Sequence, residues 1–202
     1  MKKLHLLMVL LFVTTISFAQ KMDLVKGDFK FLAGQKDVNI EFNYSNLLLM
    51  KENLTESKYV ENRKKELNDK NRGVGDVWEK KWNGAKEAIW QPKFSELMAA
   101  TITKEKDIVF QEGLKNTKYT LIVDVVWIYP GWDAGVMKQH AKVSMNLKIV
   151  ETSNRNNVLV EVTSENAPGD QWGNNYSNES RIGEGFAKTA KSFGKMIVKK
   201  MK

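Results

Sequence analysis

Two aromatic loops carry the side chains best suited to ligand binding. Residues 129–133 read Tyr-Pro-Gly-Trp-Asp, and residues 168–176 read Pro-Gly-Asp-Gln-Trp-Gly-Asn-Asn-Tyr. Each loop places a Pro-Gly turn shortly before a tryptophan, where a polar loop is usual. Aromatic rings beside Asp, Asn and Gln can stack on a sugar or anchor a protein partner. We therefore expect a shared binding rim, or else a cover over the end of the sheet, made by Tyr129, Trp132, Asp133, Trp172 and Tyr176.

A second candidate surface is a row of cations near the C-terminus. At about 3.6 residues per turn, one stripe of a predicted helix is apolar and contains Ile182, Phe186, Ala190, Phe193, Ile197 and Met201. The opposite stripe is basic and contains Arg181, Lys188, Lys191, Lys195, Lys199 and Lys202. The basic stripe is either a solvated outer face or a surface for an anionic partner, such as lipid headgroups, an acidic glycan or an acidic protein. Nucleic acid is less favoured, because no aromatic residues are interleaved with the cations.

Two isolated ionisable residues are further candidates for a chemical role. Asp124 interrupts a strongly apolar stretch, so we expect it to be buried and paired with a cation such as Lys142 or Lys148. A carboxyl group with a raised pKa, acting as a general acid, is the alternative. His140 precedes a predicted strand with no nucleophile motif nearby, which favours an ordinary hydrogen-bonding role. The sequence therefore predicts no catalytic residue.

The composition excludes several classes of site. The chain has no cysteine and two histidines, and His5 lies in the predicted export signal. Zinc fingers, iron–sulfur clusters, thiol nucleophiles and disulfides are therefore excluded, and a multi-histidine metal site cannot be built. Gly183 and Gly185 do not follow a predicted strand, so they fail as a nucleotide-binding loop and indicate a close helix–sheet contact instead. We expect no cofactor and no metal site.

The N-terminus has the pattern of a secretory signal. Residues 1–19 contain Lys2 and Lys3, then an apolar run, and end in the small residue Ala19. That run is too short for a membrane span of about 20 residues. We expect an exported protein, periplasmic or secreted, without a membrane span. It is also expected to lack a lipid anchor, because there is no cysteine to acylate.

The periodicity of the remaining chain predicts the elements that must position these residues. Residues 38–44 and 141–149 alternate as half-buried strands, and residues 119–129 are apolar on both faces, with the odd-numbered residues together, as in a central strand. Two amphipathic helices are predicted on either side of Gln91-Pro92. The mixed charges of residues 51–72 indicate a solvated helix or a mobile segment, and Ser177 is expected to cap the terminal helix.

This order of elements predicts one α+β domain over residues 20–202. Its expected architecture has two layers, with a mixed or mainly antiparallel sheet and helices packed on it.

Several stretches together resemble a family of uncharacterised exported proteins from Gram-negative gut anaerobes. They are GDFKFLAGQKDVNIEFNYS at 27–45, KWNGA at 81–85 with PKFSEL at 92–97, YTLI at 119–122 with PG at 130–131, APG at 167–169, and FGKMI at 193–197. The resemblance covers nearly the whole chain after residue 19 and implies no particular activity. The order of elements is also similar to periplasmic α/β modules of envelope accessory proteins. These include lipoprotein activators of peptidoglycan synthases and the N-terminal domain of the Tol-system propeller protein, which work by binding partners.

Taken together, these features favour a non-enzymatic interaction module of the cell envelope. Its expected partner is an envelope protein, an anionic glycan or an anionic surface, and not nucleic acid. The alternative is a protein that binds or cleaves carbohydrate through the loops at 129–133 and 168–176. The expected binding residues are Tyr129, Trp132, Asp133, Trp172 and Tyr176 in the two loops and Arg181, Lys188, Lys191 and Lys195 in the basic row.

Overall fold

A computed structural model describes residues 20–134, 137–169 and 177–201. The strands are β1 (Lys21–Gly27), β2 (Asp37–Asn43), β3 (Leu48–Leu49), β4 (Leu54–Thr55), β5 (Val109–Glu112), β6 (Tyr119–Tyr129), β7 (Trp132–Asp133), β8 (Lys138–Gln139), β9 (Ala141–Glu151) and β10 (Asn154–Gly169). The helices are α1 (Glu56–Lys70), α2 (Val74–Ala85), α3 (Gln91–Lys106) and α4 (Asn178–Lys200). The α+β class predicted from the sequence is confirmed.

The main sheet is mixed and mostly antiparallel, as predicted. Its strand order is β1-β10-β9-β6-β2-β5, with antiparallel pairs from β1 to β6 and parallel pairs from β6 through β2 to β5. The short strand β3 pairs with the far end of β6, beyond the point where β2 stops, and β4 pairs with β3. The predicted central strand, β6, lies between β9 and β2.

A β-bulge in β6 changes which face its last residues occupy. Val125 pairs with Met145 and Trp127 pairs with Ser144, so Val126 is an extra residue in the ladder. Leu121, Val123 and Val125 are buried under the helices, whereas Trp127 and Tyr129 lie on the opposite, open face. The expectation that the odd-numbered residues of β6 share one face is therefore wrong after Val125, because the bulge shifts the alternation by one.

Helices α3 and α4 cover the inner face of the sheet. Phe186 and Phe193 of α4 are both 0% exposed, so the apolar stripe predicted for this helix belongs to the core. Ser177 caps α4 as expected, with its hydroxyl accepting a hydrogen bond from the Ser180 amide at 3.3 Å. Gly185 provides the predicted helix–sheet contact, because a Cβ there would lie 2.6 Å from Cγ2 of Val143.

The helix break predicted at Gln91-Pro92 is wrong. α2 continues into α3 through a π-helical segment, Lys86–Trp90, and Pro92 stands in the first turn of α3. Proline has no amide hydrogen, and its ring clashes with the carbonyl four residues earlier in a regular helix. The wider π-turn immediately before Pro92 accommodates the ring, so the helix continues instead of ending. Within the described residues, no helix is both long enough and apolar enough to cross a membrane.

Candidate functional site

A cleft of about 560 Å³ opens beside the C-terminal end of β6. Four segments line it, namely the turn at 50–54, helix α1, the β6–β7 connection and the first turn of α4. Its lining residues are Met50, Glu52, Leu54, Tyr59, Asn62, Arg63, Glu66, Tyr129, Pro130, Gly131, Trp132, Asp133, Asn178 and Arg181. We call this the Trp132 cleft.

One amide side chain fixes the two aromatic residues of the 129–133 loop. The hydroxyl of Tyr129 and Nε1 of Trp132 both donate to Oε1 of Gln139, at 2.8 and 3.2 Å. Trp132 faces Gln139 across the short β7–β8 ladder and is 42% exposed. The turn requires Gly131, whose φ is +69° and whose missing Cβ would lie 2.3 Å from the carbonyl oxygen of Gln139. The loop therefore presents a large apolar ring to solvent from a fixed position.

A second aromatic contact ties this loop to the turn at 50–54. The rings of Trp127 and Tyr129 are stacked, with centroids 6.3 Å apart and an interplanar angle of 14°. Nε1 of Trp127 donates to the carbonyl of Met50 at 2.8 Å. Both rings are on this side of the sheet because of the bulge at Val126, so the backbone irregularity places Tyr129 in the lining of the cleft and Trp127 against the Met50 carbonyl.

Arg181 belongs to the Trp132 cleft and not to the exposed basic row. Its exposed fraction is 6%, so its placement among the surface lysines is wrong. Burial lowers the pKa of the Arg181 guanidinium, and the nearby negative charges of Asp133 and Glu179 oppose that shift. The first turn of α4 also packs closely on the end of β10, because the Arg181 carbonyl occupies the space that a Cβ on Gly169 would need.

Helix α1 provides a wall that the sequence did not reveal. Its contributions are Tyr59, Asn62, Arg63 and Glu66. Glu66 accepts hydrogen bonds from Lys70 and Arg63, both at 2.7 Å, and these two cations lower the pKa of its carboxyl group. Burial raises the pKa of the Tyr59 phenol to about 12. The four- and three-residue spacing of Tyr59, Arg63 and Glu66 places them on one helix face and could have indicated this wall. It was overlooked because the surrounding residues are a run of mixed charges.

The structure divides the predicted binding residues into two groups. Tyr129, Trp132, Asp133 and Arg181 line one cleft. Lys188, Lys191 and Lys195 are exposed on the outer face of α4. Trp172 and Tyr176 lie outside the described residues, so their place on the same rim as Trp132 stays a prediction.

The surroundings of Asp124 and His140 fit structural roles. Oδ1 of Asp124 accepts a hydrogen bond from Asn43 at 2.7 Å, and Oδ2 lies 3.8 Å from Nζ of Lys148. The predicted lysine partner is therefore confirmed, but Asp124 is only half-buried, because it lies on the face of β6 opposite the one that α3 and α4 cover. His140 is half-buried between β8 and β9. Within residues 20–134, 137–169 and 177–201, no three His, Cys, Asp or Glu side chains come together as a metal site.

Comparisons with known proteins give only distant likenesses. No protein-family model matches the chain, and no curated protein matches its sequence. A PelC dodecamer from Paraburkholderia phytofirmans has a TM-score of 0.42 and 13% identity, covering 85% of this chain and 95% of that one. A single-substitution PelC variant from the same organism has a TM-score of 0.40 and 12% identity, with the same coverage. A likeness of this degree transfers no residue, ligand or assembly to this protein.

Proposed function

We propose that this protein is a non-enzymatic binding module of the cell envelope and that it binds its ligand in the Trp132 cleft. The observation that carries the proposal is the indole of Trp132, which is 42% exposed although Gln139 and the β7–β8 ladder hold it in one position. A fixed, exposed aromatic ring at the mouth of a polar cleft is a typical ligand anchor.

Carbohydrate is the ligand class that fits this lining best. The Trp132 ring offers a flat surface for the apolar face of a sugar ring. Asn62, Arg63, Asp133 and Asn178 offer the planar donors and acceptors that hydroxyl groups require. The charges in the lining are of both signs and partly compensate one another, which favours a neutral or weakly charged saccharide over a strongly charged ligand.

Binding fits the site better than acid–base catalysis. A glycosidase needs one carboxyl group that is protonated near neutral pH. The pKa of Glu66 is lowered by Lys70 and Arg63, which keeps this group ionised and makes it a poor proton donor. Burial lowers the pKa of the Arg181 guanidinium and the negative charge of Asp133 opposes that shift, so the two groups interact as an ion pair would. This pairing suits a structural or binding role for Asp133 better than proton transfer. Carbohydrate cleavage remains the alternative function, because Glu52, Glu66 and Asp133 all line this cleft.

The proposal is tested by titrating the protein with neutral and N-acetylated oligosaccharides in a calorimeter. Trp132→Ala should weaken binding at least about tenfold, because it removes the stacking surface, and should leave thermal unfolding unchanged. Val109→Ala is the matched control, since Val109 is 40% exposed and does not line the cleft. Equal affinities for the two variants would contradict the proposal. Release of reducing ends during incubation would support the cleaving alternative.

The proposal also includes export. Residues 1–19 would be removed, so that the protein begins at Gln20 in the periplasm or outside the cell. N-terminal sequencing of protein from the envelope and culture fractions tests this point. Cytoplasmic protein that begins at Met1 would contradict it.

A further inference from the structure

A second surface lies between α3 and α4 and shares no residue with the Trp132 cleft. It is a groove of about 580 Å³ lined by Ala100, Thr101, Lys104, Glu105, Lys191, Lys195, Val198 and Lys199. Four of these eight residues are lysines and one is acidic. We call it the lysine groove.

The lysines of this groove form no ion pair with the described part of the chain. Among the described residues, no carboxylate lies within 4.0 Å of the amino group of Lys104, Lys191, Lys195 or Lys199. Helix α1 is equally rich in charge but different, because its lysines at 58, 65 and 70 are all paired with acids on the same helix. Four amino groups beside a single carboxylate, that of Glu105, produce a net positive potential that attracts anions.

The geometry of the groove favours a linear anion over a compact one. Lys191, Lys195 and Lys199 follow one another at four-residue intervals, so their Cα atoms rise by about 6 Å per step along α4. Lys104 of α3 stands on the opposite wall. A chain molecule with repeated negative charges can meet these amino groups in sequence, whereas a small anion can contact only one or two of them.

Two other anionic partners fit less well. A bilayer could be held only by charge, because Phe186 and Phe193 of α4 are fully buried in the core and cannot insert. The exposed large apolar residues of the described chain are Val25, Val74, Val77, Val109, Trp132 and Met137, and none of them lines the groove. Single-stranded nucleic acid usually stacks on aromatic rings, and the lining of the groove contains no aromatic residue.

We infer that the lysine groove is a binding site for a linear acidic polysaccharide, whose carboxylates lie along the lysines of α4 and α3. The choice of a carbohydrate among linear polyanions rests on the proposed function. The positive charge and the shape of the groove are observations that do not depend on the proposed function.

The test measures binding of polygalacturonate, a linear polymer of uronic acids, at salt concentrations from about 0.01 M to about 1 M. Over this range the screening length falls from about 30 Å to about 3 Å, so electrostatic binding should fall steeply. Fully methyl-esterified polygalacturonate is the matched ligand, because it has the same chain without the charges, and it should bind at least about tenfold more weakly at low salt.

The variants separate the groove from the overall charge of the protein. Lys191→Glu/Lys195→Glu/Lys199→Glu should weaken binding at low salt by at least about tenfold. Lys30→Glu/Lys80→Glu/Lys115→Glu makes the same change of charge at exposed positions outside the groove and should retain most of the affinity. Thermal unfolding of both variants verifies that they are folded. A single Lys195→Ala variant gives a smaller loss in the same direction if the triple variant is unstable.

Several results would overturn the inference. These are equal losses in the two triple variants, equal binding of the esterified polymer, and tighter lysine-dependent binding of duplex DNA or phosphatidylglycerol vesicles than of polygalacturonate. Trp132→Ala distinguishes this failure from that of the proposed function. If Trp132→Ala abolishes polygalacturonate binding and the lysine variant does not, the polymer lies in the Trp132 cleft. If neutral oligosaccharides do not bind and lysine-dependent polygalacturonate binding persists, only the proposed function fails.

Discussion

At the residue scale, Gln139 connects the two aromatic side chains on which the Trp132 cleft depends. Its amide oxygen accepts from both Tyr129 and Trp132. Tyr129 is only 8% exposed, so its hydroxyl has little access to solvent as a replacement partner. A buried hydroxyl without an acceptor is costly, which makes this interaction structural as well as functional.

The first prediction follows from that hydrogen bond. Gln139→Leu should lower the free energy of unfolding by about 1 kcal/mol, because the Tyr129 hydroxyl loses its acceptor. Gln139→Glu is the control, since its carboxylate oxygen replaces the amide oxygen as the acceptor and should keep most of the stability. Urea denaturation at pH 7 measures both. Equal losses in the two variants would show that the acceptor oxygen is unimportant.

A second prediction concerns the ion pair on the open face of the sheet. Both terminal nitrogens of Arg155 donate to the carboxylate of Glu41, at 2.6 and 2.7 Å, and this contact lowers the pKa of Glu41. A carboxyl group with a lowered pKa stabilises the folded state above its unfolded pKa of 4.5 and loses that contribution as the pH falls through its folded value. Glu41→Gln should therefore cost about 0.5 kcal/mol at pH 7, since the pair is half-exposed.

The pH dependence provides the check on this pair. The difference between wild type and Glu41→Gln should shrink as the pH is lowered from 5 towards 2 in chemical denaturation experiments. Glu96→Gln serves as the control, because Glu96 is exposed and forms no ion pair among the described residues. A difference that stays constant with pH would mean that the charge of Glu41 is not responsible.

At the element scale, the regular parts of the fold could be predicted and the irregular parts could not. β2, β9 and α4 were predictable because their apolar residues recur with the period of a strand or a helix over a long stretch. The register shift at Val126 and the π-turn before Pro92 could not be predicted, because a periodic pattern assumes a regular element and gives no signal for one extra residue in a ladder or a turn. Strand β1 was missed as well, since only two of its residues, Met22 and Leu24, pack on the core.

In the candidate site, too, the features with a local sequence signal could be predicted and the others could not. The 129–133 loop was identified because two aromatic residues flank a Pro-Gly turn, an arrangement visible in the local sequence. The opposite wall on α1 was missed because its residues come from a distant part of the chain. Arg181 was wrongly placed among the exposed lysines. Helical periodicity gives the direction in which a side chain points and does not show what packs against that side of the helix.

A third prediction tests the contact between α4 and the sheet. Gly185→Ala should lower the free energy of unfolding by about 1 to 3 kcal/mol, because the new Cβ would lie 2.6 Å from Val143, which is fully buried. Gly84→Ala, also in a helix, places its Cβ where no atom lies within 4 Å and should raise stability by about 0.5 to 1 kcal/mol. Changes of the same sign in both variants would contradict this packing, and thermal denaturation distinguishes the outcomes.

At the scale of the whole molecule, β1 protects the long edge of β10. The two strands pair over six positions, from Lys21 opposite Glu165 to Gly27 opposite Val160. Gln20 adds a link to α4, since its side chain hydrogen-bonds to Ser164 and Ser192 at 2.9 and 2.7 Å. Without β1, much of a sixteen-residue strand would present unpaired backbone groups to other chains.

The fourth prediction compares two shortened chains. A chain that begins at Gln20 should be monodisperse and as stable as any longer form, because it retains β1 and both Gln20 hydrogen bonds. A chain that begins at Asp28 should lose about 2 kcal/mol of stability, from Met22 and Leu24, and should self-associate through β10. Urea denaturation and sedimentation velocity measure the two effects. Identical behaviour of the two chains would show that β1 is dispensable.

The extra residue at Val126 has a consequence for how relatives of this protein can be compared. In a chain without that residue, Trp127 would follow Val125 directly, so regular alternation would keep Trp127 and Tyr129 on the open face and Ile128 in the core. In a chain of the same length that paired without the bulge, the last two aromatic residues would point towards the helices, and the wall beside the turn at 50–54 would disappear. A one-residue gap at this point in an alignment is therefore compatible with the cleft. A chain that aligns without a gap shares the cleft only if it also shares the bulge, and overall identity would not reveal that division.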